Sequence, residues 1–300
     1  MLNNKALFLI ESDPSNVNYN ALKENGYNVS LFFKEINVFF RFIRRMWIYY
    51  DFPFVSIWFN NWYKKLGDYD YLIININRLN HGLLSRILNA NKDIKIKGWY
   101  WNTIDSTNYP INYQTDRVEY YSFDKDDCKK YNLNYNIQYY SLDNLILNQN
   151  KEYDVYFVGR DKGRKKEIES FVKTAEKFNL ILNINTINGN NIIPYVDVKK
   201  ELSKSRAVLE INKENQVGFT LRTLESLFFG IKLITNNASI IDSPIYRKEN
   251  IFIIGKDDYN QLLSFIYSPY NHEVDIYKRE YDINKWYSNF FVKENKNESL

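Results

Sequence analysis

Cysteine occurs once in these 300 residues, as Cys128, and histidine only twice. A single cysteine excludes an intramolecular disulfide, and one cysteine with two histidines argues against a Cys/His zinc site. Both scarcities suit a reducing, cytoplasmic setting. Long apolar runs are missing too: nowhere do eighteen consecutive apolar residues occur, and the opening Leu2-Asn3-Asn4-Lys5 has no signal-peptide core. The chain also lacks a Walker loop, a serine-centred nucleophile elbow, an Asp-x-Asp pair flanking a strand, RNP-like or zinc-finger spacing and a short internal repeat. Its excess charge is a formal +4, too small to indicate a nucleic acid partner without a localised patch.

Hydrophobic residues make up 45% of the chain, enough for one large or two medium cores. Short apolar runs alternate with helical segments. Ala6 to Ile10, Asn28 to Phe33, Tyr71 to Ile76, Ile94 to Trp101, Val118 to Phe123 and Ile137 to Ser141 read as strands, with helices at Tyr19 to Asn25, at Gly82 to Asn91 and in the charged turn Asp124 to Tyr131. After the polar stretch 144–152 the alternation restarts. Strands are expected at Tyr153 to Val158, Leu180 to Ile187, Ala207 to Ile211, Lys232 to Thr235 and Ile251 to Ile254, with helices at Lys165 to Phe178, at Lys199 to Lys204 and after Thr220. Strands alternating with helices argue doubly wound parallel sheets. Two α/β domains are expected, over 1–145 and 150–282, with a C-terminal helix, Asn284 to Val292, docking on a domain surface and a frayed tail within 283–300.

The stretch Gly218-Phe219-Thr220-Leu221-Arg222-Thr223-Leu224-Glu225-Ser226-Leu227-Phe228-Phe229-Gly230 joins a turn glycine, a hydroxyl at a helix start, a carboxylate and a glycine stop. Thr220 is expected to cap a helix ending near Phe229, with Leu221, Leu224 and Phe228 as its buried stripe and Gly230 at its C′ position. Glu225 should lie near that stripe and needs a partner. A nucleotide ribose would supply hydroxyls, with Arg222 and the free N–H groups holding phosphate; a neighbouring Lys or Arg would serve equally in a capped amphipathic helix. A second feature is Val158-Gly159-Arg160-Asp161-Lys162-Gly163-Arg164-Lys165-Lys166, placed between a strand and a helix. Cations at a helix start are mildly disfavoured by the macrodipole, so the cluster reads either as awaiting a diphosphate or as a solvated basic loop partnered by Asp161 and Glu167.

A third feature combines aromatics and cations over residues 36–65, from Ile36 to Tyr50 and on to Trp58, Trp62, Lys64 and Lys65. Such a segment suits peripheral contact with a bilayer interface, or alternatively an aromatic core helix whose arginines snorkel outward. Acid–base candidates in the first half sit at strand ends: Asp13, His81 and Asp105, any of which could deprotonate an acceptor hydroxyl in a cleft or simply shape a turn.

Gly159-Arg160 with Lys162-Gly163 after a strand, and Gly218-Phe219-Thr220-Leu221 with Glu225 and Gly230 before one, resemble the donor half of a GT-B glycosyltransferase. With Ser122 to Cys128 and Ala207 to Ile211, the pattern is similar to bacterial lipopolysaccharide core-biosynthesis and capsule glycosyltransferase-like proteins over most of residues 69–255. The resemblance implies two Rossmann-like domains facing a cleft, a C-terminal helix returning to the first domain, and transfer of a hexosyl or deoxyhexosyl group from a nucleotide-sugar to a cell-surface glycan or glycolipid. It implies diphosphate contacts from Arg160 and Lys162, with Gly159, Arg164, Gly218, Thr220, Leu221 and Arg222 around them, a ribose contact from Glu225, and no obligatory metal. Charge and motif content lead us to expect no nucleic acid partner, and cysteine usage with the 36–65 segment a cytoplasmic protein that can touch the inner membrane face. The pattern departs at Val217, where common retaining members carry a second glutamate. A protein that binds the nucleotide-sugar without turnover, or a peripheral membrane interaction module of polysaccharide assembly, is the alternative.

Overall fold

In the computed structural model of the protein, the described residues are 5–11, 17–77, 82–104, 115–141, 145, 148, 150–161, 163–187, 193–212 and 218–292. Asp13, His81, Asp105, Lys162 and Val217 lie outside them. The chain divides into two units, Met1–Ile137 with Tyr287–Leu300, and Gln138–Trp286.

The first unit is a six-stranded parallel sheet in the order β2-β1-β3-β4-β5-β6. Its strands are β1 (Ala6–Ile10), β2 (Val29–Leu31), β3 (Tyr71–Asn75), β4 (Lys95–Tyr100), β5 (Val118–Ser122) and β6 (Asn134–Tyr135). Every residue of β1 is buried, as expected of a parallel strand covered on both faces. Helices α1 (Val17–Glu24), α2 (Val38–Tyr49), α3 (Leu84–Ala90) and α4 (Lys125–Tyr131) connect them. The charged turn forms α4 because the Asp124 carboxylate accepts from the amides of Asp126 and Asp127, and Asn132 closes it in the left-handed region.

The second unit is a five-stranded parallel sheet, β11-β10-β9-β7-β8. Its strands are β7 (Tyr153–Arg160), β8 (Leu182–Ile187), β9 (Ser205–Glu210), β10 (Lys232–Thr235) and β11 (Ile251–Ile253). Side chains alternate between two cores. Tyr156, Val158 and Val208 pack with α6 (Tyr195–Ser203) and α7 (Leu221–Phe229). Val155, Phe157, Ala207 and Leu209 pack with α5 (Lys165–Glu176) and α8 (Leu262–Tyr267). Helix α6 begins earlier than its sequence suggests, because the Pro194 carbonyl accepts from Asp197 and Val198 and starts the first turn.

No strand forms over Ile137 to Ser141, contrary to the sequence reading. Tyr140 instead makes an isolated bridge with Asp282, its N–H donating to the Tyr281 carbonyl and its carbonyl accepting from Ile283. The segment is extended, yet its partner is the returning chain and not a sheet strand. Helix α9 (Ile283–Asn289) follows. Its Trp286 ring lies 4.2 Å from Tyr139 in the second unit. Beyond it the chain belongs to the first unit, where Tyr287 meets Phe8 and Tyr27, and Phe290 meets Tyr121 at 4.8 Å.

Gly98 occupies the middle of β4, where a Cβ would stand 2.7 Å from the Tyr120 ring and 2.9 Å from Ile76. Gly98→Ala should therefore force a buried ring aside and destabilise the protein by about 1–3 kcal/mol. Chemical denaturation measures this, and an unchanged midpoint would show that Tyr120 yields freely.

Candidate functional site

Ligands of doubly wound sheets bind outside the carboxyl ends of the strands, where the strand order reverses. In the second unit that place lies between β7 and β9, since the chain steps outward to β8 and then crosses to β9, β10 and β11. The residues around it come from two turns that the sequence marked.

The first turn ends β7 at Gly159 and Arg160 and reaches α5 through Gly163, whose φ of +87° suits glycine. Arg164 folds back across the turn. Its guanidinium donates to the carbonyls of Ile211, of Arg160 at 2.8 Å and of Asp161 at 3.1 Å. It thus ties the end of β7 to the residue after β9, and burial lowers its pKa against the pull of Asp161. Its donors are committed to protein carbonyls. Arg160 is exposed.

The second turn starts α7. Thr220 caps it as expected, its hydroxyl accepting from the Arg222 amide at 3.0 Å, and Gly230 ends it in the left-handed region at φ 62°. The helix is more enclosed than a stripe, since every residue from Thr223 to Phe229 is buried, while Gly218, Phe219 and Leu221 are half-buried. Glu225 is fully buried, and its partner is Arg222, one turn earlier. Arg222 also donates to the Val158 carbonyl in β7 at 2.6 Å. Burial disfavours the Arg222 charge, but Glu225 more than offsets this and raises its pKa. The second Glu225 oxygen accepts from the Tyr195 hydroxyl at 2.8 Å, and Tyr140 lies 2.8 Å from that hydroxyl. Burial and the neighbouring carboxylate push both phenols upward, so they stay neutral. Of the two partners open to Glu225, an arginine or a ribose, the arginine is present.

Glu210, at the end of β9, had no assigned role in the sequence. Its carboxylate is buried and accepts three threonine hydroxyls: Thr220, Thr223 at 2.8 Å and Thr235 at 2.6 Å. It therefore joins β9, β10 and the first turn of α7, where the helix dipole favours a negative charge. An acidic residue closing an apolar strand, followed by a hydroxyl-rich helix start, was the available signal.

In the first unit the order reverses between β1 and β3. Glu11 directly follows β1, and its carboxylate lies near Asn77, two residues beyond β3. Burial raises its pKa, opposed by Asn77, Arg44 and Arg45. The sequence pointed instead to Asp13, His81 and Asp105, whose placement is not described. Among the described residues, no cluster of three or more His, Cys, Asp or Glu side chains could hold a metal ion, and no helix is long and apolar enough to cross a membrane.

No protein-family model matches this sequence, and no curated protein is similar to it in sequence. Solved structures are similar in fold. HepE of Anabaena, solved with UDP, is 9% identical, with 96% of this chain and 98% of that one covered, at a TM-score of 0.59. The DNA-modifying β-glucosyltransferase, solved with and without uridine diphosphoglucose, is 14% identical over 95% of this chain and 98% of that one, at 0.54. A glycosyltransferase of Rickettsia africae is 9% identical over 99% and 100%, at 0.53. These neighbours are GT-B glycosyltransferases, and the two parallel α/β sheets of this chain are of the GT-B fold.

The two arginines of the first turn should separate by experiment. Arg164→Ala strips hydrogen bonds from three carbonyls and is expected to cost about 2–3 kcal/mol, whereas Arg160→Ala should stay within about 0.5 kcal/mol of the parent. Equal effects in urea denaturation would contradict this division.

Proposed function

We propose that the protein is a glycosyltransferase that moves a hexosyl or deoxyhexosyl group from a nucleotide-sugar to a cell-surface glycan or glycolipid acceptor, such as those of lipopolysaccharide or capsule. The observation that carries the reading is the arrangement at the β7–β9 switch point. There exposed Arg160 closes the strand that Arg222 grips at Val158, beside a helix whose first turn is locked by Thr220 and Glu210. When the bond between the sugar and the diphosphate breaks, negative charge grows on the departing oxygen. Arg160, with Lys162 two residues on, and the first-turn N–H groups of α7 would stabilise that charge. Arg164, Arg222 and Glu225 would act by holding these groups in place. The reading needs no metal.

UDP is the first nucleotide to test, because HepE and the β-glucosyltransferase were solved with UDP or its glucose conjugate. The acceptor is less constrained, and duplex DNA belongs in the acceptor screen because the β-glucosyltransferase modifies DNA. The small net charge and the lack of a nucleic-acid motif favour a glycan.

A thermal-shift screen against UDP, GDP, CDP, dTDP and CMP, with magnesium or with EDTA, tests the donor site. A nucleotide at about 100 times its dissociation constant should stabilise the fold by about 2.7 kcal/mol. The shift should be lost in Arg160→Ala and be indifferent to EDTA. No shift with any nucleotide would overturn the reading.

The acceptor hydroxyl must lose a proton as it attacks the anomeric carbon, and Glu11, which directly follows β1 at the first unit's switch point and whose pKa burial raises, is our candidate to take it. A base acts unprotonated, so activity should fall as pH drops through the raised Glu11 pKa. Glu11→Gln should lower kcat by about 100-fold or more and remove that acid limb. A retained limb would assign the proton to another group.

A further inference from the structure

Helix α2 leaves much of its apolar surface outside while it buries an arginine. Its one buried residue is Arg44, which stacks 4.3 Å over the Phe33 ring and donates to the Lys34 carbonyl at 3.2 Å. Its outward residues are apolar: Val38, Phe39, Phe42 and Tyr49 are 74%, 66%, 62% and 74% exposed. At about 100° per residue, Val38, Phe42 and Tyr49 fall on one stripe, with Phe39 beside it and Arg41 and Arg45 along its other edge. Of the aromatic core helix with outward arginines, open from the sequence, Arg41 and Arg45 do face outward, but Arg44 turns in and Phe39 and Phe42 stay outside.

The turn after α2 extends this face. The Trp47 indole donates to the Pro53 carbonyl at 2.8 Å and its ring meets Phe52 and Trp58, so the turn is held in place. Asp51 and Phe54 adopt the left-handed region, at φ 53° and 58°, which is disfavoured for a bulky residue. The strained Phe54 is 77% exposed, with Phe52 and Ile57 also exposed. Phe54 starts the tight turn Val55–Trp58, its carbonyl accepting from the Ile57 amide at 3.0 Å, and this backbone leaves its ring in water.

Charge on this segment is one-sided. Between residues 34 and 65 the sequence has Lys34, Arg41, Arg44, Arg45, Lys64 and Lys65 against Glu35 and Asp51, and Asp51 is paired with Arg86. This short segment alone accounts for a net charge as large as the whole chain's +4. Exposed aromatics bordered by arginines fit the headgroup region of an anionic bilayer, where rings sit at the interface and cations meet lipid phosphate.

We propose that the outer face of α2 and the turn after it form a docking surface for an anionic lipid bilayer, with Phe39, Phe42 and Phe54 entering the headgroup region and Arg41 and Arg45 contacting lipid phosphates. The proposal stands independently of the donor chemistry, and it would bring a glycolipid acceptor to the first unit.

Co-sedimentation of the full chain with phosphatidylglycerol/phosphatidylethanolamine vesicles, and with pure phosphatidylcholine vesicles, at low and high salt tests it. The protein should sediment with the anionic vesicles, weakly with the neutral ones, and less at high salt. Arg41→Gln with Arg45→Gln should weaken partitioning by about 25-fold, and Phe39→Ser, Phe42→Ser and Phe54→Ser together by about 100-fold or more. All five positions are exposed, so both variants should keep the parental melting temperature and nucleotide response. Absence of binding to anionic vesicles, or equal binding by the variants, would overturn the proposal. A dimer seen by light scattering and abolished by the phenylalanine changes, without vesicle binding, would assign the face to a second copy of the chain.

Discussion

Glu210 holds the switch point of the second unit together. A carboxylate this buried is costly unless its oxygens are satisfied, and its contacts are hydroxyls from Thr220, Thr223 and Thr235. Hydrogen bonds to a charged acceptor contribute about 1.5–3 kcal/mol each, and the start of α7 adds a favourable dipole. The arrangement also fixes geometry. Thr220 can cap α7 because its proton is committed to Glu210 while its oxygen receives the Arg222 amide. Arg222 then reaches Val158 and Glu225 from a set position. One buried charge thereby orients a helix end, a strand end and a second buried ion pair.

The two units share one topology and differ in chemistry. Each sheet runs, in its own numbering, in the order 2-1-3-4-5, with a sixth strand added in the first. Each switch point is lined by polar side chains: Glu11 and Asn77 in the first unit, Arg164 and Arg222 in the second. The first therefore offers a carboxylate of raised pKa, and the second an anion-attracting strand end and helix start. Topology alone would not distinguish them, because function resides in the residues placed at equivalent positions.

Much of this was legible locally. The Thr220 cap and its acceptor are two residues apart, Gly230 stops α7 through its own φ, and the apolar runs of β7, β9 and β10 need only their alternation. What escaped depends on partners distant in sequence. Arg164 reads as a free cation in a basic loop, but its acceptor at Ile211 is 47 residues away. Glu210 reads as an ordinary strand end until Thr235 is placed beside it by the parallel register. Ile137 to Ser141 has a strand's composition, yet Tyr140 pairs with the returning chain at Tyr281 and Ile283. Glu225 was expected to seek a partner, and the local sequence offered Arg222 three residues before it without deciding between arginine and ribose.

Helix α2 shows a further limit of periodicity, which reveals a stripe but not the direction it faces. Apolar stripes ordinarily turn inward because burying a large apolar side chain is worth about 1.5–3 kcal/mol. Here that gain is forgone at Phe39, Phe42 and Phe54, and Phe54 adds the cost of a left-handed backbone. Arg44 takes the inward position and is stabilised there by the Phe33 face and the Lys34 carbonyl, with Glu11 nearby. The helix thus brings the aromatic face near the first switch point, because Arg44, which turns inward, and Arg45 both act electrostatically on Glu11. The rings left outside bear a solvation cost, and covering them is what would recover it.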